Sequence, residues 1–563
     1  MSPFRQQTLF CGHYLFRKST MVSLSDVVQT TTRGLQTGQI GRPVALRVIA
    51  HTIADHGEFQ GTAAWLLRQA ESWFNSRVQN AIVLGGVESG QFSVLASFTS
   101  GASALLSIGT PVADHKILEL VLWGDHGTLA WQPEATSGSQ VTSDHQPPLD
   151  PRATELLDQL QTNWMTESNP PPQTSAPGLS AAAPTPLAPP YGLLLVSGDH
   201  THQPGYADAL MQGDRCRAIG MTDQDDVSPR RRQLNEQMAR RLGIPVLPLD
   251  AALRREDVHV VSICAEPIRR GPIIVQALNA GKHVYLDKPL AGTAAHAHAI
   301  VAAANQARVV TQMWSLVRSA AATHMRNAVE TGRLGNLTAF HADLCFAKGT
   351  PGTAVPRVRR ETDVPERYEL MEAKRELTNV GVYCLVSLLW LTGKRIQRVG
   401  ATTGNFFFQE HQNNNMEDFG QMILELEGGM IATLSAGRCG WQSNRDSGLD
   451  RTTLVGNRSL ETFDAHRPRL AIWSDAPAWS PPQTDPEDPM GMWGGPKKPE
   501  HVPAPKHAWL MPAAPAKDDF THFLDCVQAG RASDVPAELA SHATEALLAG
   551  YRSAATGKLV VLD

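Results

Sequence analysis

The chain has 563 residues, 42% hydrophobic and 19% charged, with a formal net charge of -5, an ordinary globular composition with room for two to four domains at about 150 residues each. The charge balance, and the lack of a basic cluster interleaved with aromatics, speak against a nucleic-acid partner. The seven cysteines, Cys11, Cys216, Cys264, Cys345, Cys384, Cys439 and Cys526, include no Cys-x-x-Cys pair, so neither a disulfide framework nor a structural zinc site is expected.

Met1 to Thr20 mixes charges into its apolar residues, and no later stretch approaches a membrane span. A cytoplasmic protein without signal peptide or membrane partner is therefore expected. Residues 1–21 read as an extension and 22–135 as a first α+β domain. In that domain Thr37-Gly38-Gln39-Ile40-Gly41-Arg42 echoes Thr331-Gly332-Arg333-Leu334-Gly335-Asn336, Phe98 to Leu105 parallels Leu426 to Thr433, and Trp123 to Leu129 parallels Val455 to Glu461. Between Pro170 and Pro190 the composition turns to Pro, Ala, Ser and Thr, so 136–190 is expected to be an extended linker without a core.

Gly192 to Val196 reads as a buried strand, followed by the turn Ser197-Gly198-Asp199-His200 and a helix from about Pro204. Cys216 to Met221 and Val258 to Cys264 are further strands, each followed by a helix, and His283 to Leu286 closes the series. Alternation of short apolar strands with amphipathic helices predicts a doubly wound parallel sheet over 191–315, a Rossmann-type dinucleotide-binding domain. Its first turn would cradle a pyrophosphate, although only Gly198 remains of a glycine-rich fingerprint. His200 and His202 read as turn residues rather than metal ligands, and no metal is expected. Asp223, about 25 positions after Gly198, stands where a carboxylate takes the ribose hydroxyls, which favours NAD over NADP; a turn or N-cap aspartate is the alternative. Arg230-Arg231-Arg232, following Asp225 and Asp226, reads as a solvated helix face. Asp287-Lys288-Pro289 directly follows the fourth strand, where open α/β sheets place their chemistry. Residues 316–563 form a last α+β domain, with a loop-like Pro-rich tract from Ser480 to Pro515 and a core helix carrying Phe520, Phe523, Leu524 and Val527 at helical spacing.

The order Leu193 to His202, Asp223, Val258 to Cys264 and Ala280 to Pro289 resembles the Gfo/Idh/MocA oxidoreductases, the family of glucose-fructose oxidoreductase and inositol dehydrogenase. Their Glu-Lys-Pro is Asp287-Lys288-Pro289 here, and their Asp-x-Gly-x-His or Asp-x-Gly-x-Tyr is Asn379-Val380-Gly381-Val382-Tyr383. The resemblance implies a Rossmann domain followed by a domain with a large, open-faced, mostly antiparallel sheet, which serves as substrate site and often as oligomer interface. It implies a catalytic set of Lys288, Tyr383 and Asn379. Ser197, Gly198, Asp199, His200, Asp223, Cys264, Ala265, Glu266, Asp287, Lys288 and Pro289 would contact the cofactor, NAD or NADP. Departures are Asn379 for a carboxylate, Ala265-Glu266-Pro267 after the third strand, Arg270 for a histidine, and Arg375 and Glu376 for glycines. Lys374 and Arg375 read as solvated or as contacts to an acidic substrate.

Oxidising a carbinol requires a base for the hydroxyl proton, and a tyrosine with a pKa near ~10 needs a neighbouring cation to serve. Lys288 is expected to lower the Tyr383 pKa in this way. The expected activity is hydride transfer between a nicotinamide and a secondary alcohol or carbonyl of a sugar, sugar acid or cyclitol; the alternative is a dinucleotide-binding scaffold or sensor with little turnover. The first domain, lacking these motifs, is expected to be a silent copy of the last domain's sheet, packed on residues 337–463 of its own chain or of a neighbour in a homo-oligomer, since such a face is too apolar to leave wet.

Overall fold

The computed structural model describes residues 23–38, 40–53, 58–86, 89–111, 116–131, 148–167, 183–196, 202–347, 352–355, 375–440, 448–464, 469–472, 506–509 and 518–562. The extension 1–21, with Cys11, lies outside them. Helix α1 (Leu24–Gln36) opens on a reciprocal cap in which the Ser23 hydroxyl accepts from the Asp26 amide and the Asp26 carboxylate accepts from the Ser23 amide, satisfying two donors that a helix start otherwise leaves unpaired. There follow β1 (Pro43–His51), α2 (Phe59–Phe74), β2 (Val78–Gly86), β3 (Gln91–Phe98), β4 (Ser103–Gly109), β5 (Ile117–Gly124) and β6 (Gly127–Trp131). These strands form a six-stranded sheet in the order β2-β3-β4-β1-β5-β6, antiparallel except for the β1–β4 pair.

The stretch expected to be a linker contains a helix, α3 (Pro151–Glu167). Leu156, Leu157, Leu160 and Trp164 recur at helical spacing; Leu156 and Leu160 are buried in the first domain's core. The Trp164 indole and the Asn163 amide donate to the carbonyls of Gly85 and Ala81, each at 2.7 Å. The Pro-rich composition begins only beyond this helix, and 168–182 lie outside the described residues.

The second domain runs β7 (Tyr191–Val196), α4 (Gln203–Met211), β8 (Cys216–Thr222), α5 (Pro229–Leu242), α6 (Leu249–Leu253), β9 (Val260–Ile263), α7 (Pro267–Asn279), β10 (His283–Leu286), α8 (Ala294–Ala307) and β11 (Thr311–Met313). All pairs are parallel, in the order β11-β10-β9-β7-β8. β7, β9 and β10 are buried along their whole length, as helices on both faces require. The strand order reverses between β7 and β9, and a doubly wound sheet opens its ligand crevice beyond the carboxyl ends of the strands at such a point.

The last domain comprises α9 (Ala320–Glu330), β12 (Leu337–Ala347), a π turn Leu377–Gly381 that runs into α10 (Val382–Thr392), β13 (Ile396–Gly404), α11 (Gln409–Asn413), β14 (Phe419–Leu426), β15 (Ile431–Gly440), β16 (Leu449–Gly456), β17 (Leu460–Asp464), the two-stranded pair β18 (Arg469–Ile472) and β19 (Lys506–Trp509), α12 (Asp519–Ala529), α13 (Ala537–Thr556) and β20 (Val560–Val561). Its seven-stranded sheet has the order β17-β16-β12-β15-β14-β13-β20 and is antiparallel except for β12–β15. Strands β13-β14-β15-β12-β16-β17 thus repeat the order and directions of β2-β3-β4-β1-β5-β6. The turns match as well: Gly41 and Gly335 have φ of 71° and 73°, and a Cβ on either would lie 2.2 Å from the side-chain Oδ1 of Asp125 or Asn457, respectively. Phe523, Leu524 and Val527 of α12 are buried beneath the parallel sheet, with Phe520 packed beside them. No helix among the described residues is long and apolar enough to cross a membrane.

The last domain's sheet leaves one face free of its own helices, as expected, and within this chain that face is covered. The first domain's sheet lies against it through Val44, Val121 and Trp123 on one side and Phe406, Phe407, Phe408 and Phe419 on the other, and through Ile82, Leu84, Leu95 and Leu105 against Ile423 and Ile431. Among these apolar contacts sit four charges. Arg47 reaches Glu119 at 2.9 Å and Asp343 at 2.8 Å, and Arg451 pairs with Glu119. Burial pushes the Asp343 carboxyl up to about 6 against the pull of Arg47. Burial also acts to raise Glu119, but Arg451 and Arg47 outweigh it and hold this carboxylate below its usual range. Removing one partner of a buried ion pair leaves the other charge uncompensated, at about 3–5 kcal/mol. Arg47→Met is therefore expected to lower unfolding stability by roughly that amount, measured by urea denaturation; an unchanged midpoint would show that the charges are not buried together.

Candidate active site

Lys288 follows the carboxyl end of β10 and is only 6% exposed. Its ammonium donates to Asn379 Oδ1 at 2.5 Å and to the Asn379 carbonyl at 2.7 Å, and lies 5.0 Å from the centre of the Tyr383 ring. Asn379 and Tyr383 share one side of the polypeptide because the π turn passes directly into α10. The three residues expected to form the catalytic set therefore meet, one from the parallel-sheet domain and two from the last domain.

The Asn379 carboxamide is held at both ends. Its Nδ2 donates to Glu376 Oε2 at 3.1 Å while its Oδ1 faces Lys288, and turning the amide over would set an NH2 against an ammonium. Glu376 is fully buried and accepts from Arg438 Nε of β15 at 2.9 Å. Burial acts to raise its pKa, but Arg438 and His411 outweigh burial and hold it at about 2. From the sequence, Glu376 stands out as a replacement for a glycine and as part of the charged stretch around Met371 to Glu376 expected to set specificity, not as a partner of Asn379. Its spacing of three from Asn379 on a helical turn is the signal that could have paired them.

Tyr383 corrects an expectation. Burial pushes its phenol well above the ordinary range, and the Asp287 carboxylate adds to that. Lys288 sits over the ring and is engaged by Asn379, so it does not offset the loss of water, and the hydroxyl stays neutral. Trp314 packs edge-on to Tyr383 at 5.3 Å between ring centroids, and His202 and Tyr206 extend this aromatic wall.

Asp287 accepts from the Tyr206 hydroxyl at 2.9 Å and lies 3.0 Å from His202 Nδ1. Burial acts to raise it, but His202, Arg270 and Lys288 hold it well below the usual carboxylate range. Arg270, 2% exposed, donates to the carbonyls of Ala265, Asp287 and Pro289. The planar guanidinium thus ties the turn after β9 to the Asp-Lys-Pro segment.

Of the expected cofactor contacts, Ser197, Gly198, Asp199 and His200 lie outside the described residues. Cys264 and Ala265 follow β9 but turn their side chains into the hydrophobic cores, and Pro289 is buried with its carbonyl on Arg270. Asp223 is occupied from within: it accepts from Arg231 Nε and Nη2, each at 2.6 Å, from Asn235 at 2.8 Å and from the Gln224 amide at 2.9 Å. Arg231 also pairs with Glu266. Arg231 is 5% exposed, so the arginine run is not the solvated face expected of it. Its middle residue points inward because two carboxylates, at the ends of β8 and β9, face the helix start. With Arg231 on its carboxylate, Asp223 is not by itself a reason to favour NAD. Among the described residues, no group of His, Cys, Asp or Glu is placed to hold a metal ion.

A dinucleotide fits the crevice at the reversal of strand order. Thr222 Oγ1 and Glu266 Oε2, at the carboxyl ends of β8 and β9, are buried oxygens without a hydrogen-bond partner among the described residues, and buried polar atoms of that kind call for a bound group or water.

Two family models match the chain: "Oxidoreductase family, NAD-binding Rossmann fold" over residues 206–314 and "GFO/IDH/MocA C-terminal domain" over 322–459. Residues 206–314 and 322–459 thus match the two domains of the Gfo/Idh/MocA oxidoreductases, in the order that family has them. It is 31% identical over 231 residues to dTDP-3,4-didehydro-2,6-dideoxy-alpha-D-glucose 3-reductase of Streptomyces violaceoruber, covering 40% of this chain and 61% of that protein. It is 25% identical over 193 residues to the enzyme of the same name from Saccharopolyspora spinosa, covering 34% and 53%. The matches thus span about three fifths or less of these relatives' length. Among solved structures, myo-inositol 2-dehydrogenase from Lactobacillus plantarum is 15% identical, with a TM-score of 0.49, over 66% of this chain and 100% of that one.

Glu376→Gln would leave Arg438 buried without its carboxylate, and a stability loss of about 3–5 kcal/mol is expected. Glu376 has a depressed pKa, so its contribution is present above the ordinary value of 4.5 and is lost only as pH falls through about 2. The penalty should therefore be the same in denaturation curves at pH 5 and pH 8; a penalty that shrinks at pH 5 would contradict this assignment.

Proposed function

We propose that this protein is an NAD(P)-dependent oxidoreductase acting between a secondary alcohol and the corresponding carbonyl of a sugar, sugar acid or cyclitol. The observation that carries this reading is the meeting of Lys288, Asn379 and Tyr383 beyond the carboxyl end of β10, in a chain that matches the two domains of this family. Its relatives are named as reductases of a didehydro sugar, and a ketone is the substrate that suits the resting site. The dinucleotide, when bound, supplies the hydride. The neutral Tyr383 hydroxyl donates its proton to the carbonyl oxygen, and the Lys288 ammonium stabilises the negative charge that develops there and on the phenolate left behind. Asn379, fixed by Glu376, holds Lys288 in place. Solvent then returns the proton to Tyr383, and alcohol oxidation is the same path reversed.

The adenosine end would meet Thr222, Asp223, Arg231 and Glu266, so the Asp223–Arg231 pair governs the choice between NAD and NADP. The carboxylate favours free ribose hydroxyls and the guanidinium a 2′-phosphate. The cytoplasm suits six described cysteines that form no disulfide among the described residues.

The reading is tested with purified protein, NADH or NADPH, and a panel of keto sugars and inosose-type ketones, following loss of reduced cofactor. Tyr383→Phe is expected to lower kcat by about 10²–10⁴-fold. Because the phenol is neutral well above its ordinary range, the wild-type rate of reduction should show no Tyr383-dependent fall from about pH 6 to 9. Turnover unchanged in Tyr383→Phe would remove it from the mechanism. Arg231→Met removes the cation and leaves Asp223 held only by Asn235 and the Gln224 amide, and should shift the ratio of kcat/KM for NADH over NADPH upward by about tenfold or ~1.4 kcal/mol; an unchanged ratio would place the ribose elsewhere.

A further inference from the structure

We propose that the first domain is a partner subunit built into the same chain: the two sheet faces are matched to each other and mismatched to themselves, so this surface takes the chain's own other half and excludes a second copy. The proposal rests on which residues occupy equivalent positions. Pro43 pairs with Gly124 and a bulge precedes Ala45; Leu337 pairs with Gly456 and a bulge precedes Ala339. Counting along the ladders from there, Ile49 corresponds to Asp343 and Arg47 to His341. Their cross-strand neighbours then correspond too: Glu119 opposite Ile49 matches Arg451 opposite Asp343. On the other wing, Arg47–Leu105–Leu95–Ile82 matches His341–Thr433–Ile423–Gly400.

Two like sheets stacked face to face about a two-fold axis bring the residues on that axis against their own counterparts. Two such contacts are present. Glu119 is paired with Arg451, and a Cβ built on Gly400 lies 3.0 Å from Ile82 Cγ2. At both positions the counterparts differ in the complementary sense, acid against base and large against absent. Self-pairing of the last domain's sheet would set Arg451 against Arg451 and leave a gap between two Gly400 residues. Self-pairing of the first domain's sheet would oppose two buried Glu119 carboxylates and collide two Ile82 side chains. Like charges brought together out of water, and unfilled or overfilled contacts, are what make an interface reject the wrong partner. The Arg47–Asp343 bridge has the same asymmetry, since its mirror contact would join His341 to Ile49 and carries no charge pair. As Asp-Lys-Pro and Asn-x-Gly-x-Tyr occur only in the later domains, each such pair of sheets carries one candidate site.

Axis positions allow a test in the full chain. Ile82→Cys, Gly400→Cys and the double variant are oxidised beside unmodified protein, then resolved by non-reducing electrophoresis, peptide mapping and light scattering. Two cysteines at this spacing are within disulfide reach. The double variant is expected to form an 82–400 disulfide inside one chain, and neither single variant a disulfide-linked dimer. A covalent dimer from Gly400→Cys alone would show the last domain's sheets meeting each other, and an 82–400 link between two chains would show exchange; either overturns the proposal, as does a folded double variant that forms no link. Should the double variant misfold, hydrogen exchange on unmodified protein decides. Protection of β3 and β14 should be constant over a roughly hundredfold dilution, and protection that falls on dilution would mean that a second copy covers the face.

Discussion

A seven-stranded sheet has two faces, and the helices α9, α10 and α13 of its own domain cover only one. The other is lined by Phe419, Ile423, Ile431 and Val455, with Phe406, Phe407 and Phe408 at its border, and cannot be left against water. In this chain the requirement is met by a second sheet of the same strand order. Its burial brings Arg47, Glu119, Asp343 and Arg451 out of solvent together. An apolar face alone would tolerate sliding; four buried charges that must remain paired fix where one sheet lies on the other.

That constraint continues toward the candidate site. Strand β15 pairs with β12 and β14; Cys439 faces the first domain's sheet, while Arg438 turns to the opposite side and holds Glu376. Glu376 orients the Asn379 amide, and Asn379 receives Lys288 from the parallel-sheet domain. Arg270 holds the same lysine segment from below, through the carbonyls of Asp287 and Pro289. The ammonium is therefore placed by both domains, and the negative charge that Asn379 lacks stands one helical turn earlier, on Glu376.

Much of this was legible in the chain because the signals are local. Short apolar strands alternating with helices encode the parallel sheet, and Asp287-Lys288-Pro289 stands at the end of one of them. The echo of Thr37 to Arg42 in Thr331 to Asn336 carries into two turns of the same geometry, because a glycine with positive φ packed against the side chain of Asp125 or Asn457 leaves little freedom. Other features were hidden by composition. The Pro-rich tract drew attention from the Leu156, Leu160 and Trp164 stripe of α3, and three consecutive arginines read as a wet surface although Arg231 is buried between Asp223 and Glu266.

The sequence by itself determined the two kinds of sheet, their order along the chain, and the residue types gathered as Lys288, Asn379 and Tyr383. These follow from periodicity and short motifs, which depend on neighbours a few positions away. Only the tertiary structure decided that Tyr383 is a neutral phenol, that Asp223 is held by Arg231, that Glu376 stands behind Asn379, and that the last domain's sheet is covered from within the chain. Each of these depends on burial and on charges far apart in sequence, and the free energy of an ionisable group is set by what surrounds it in space.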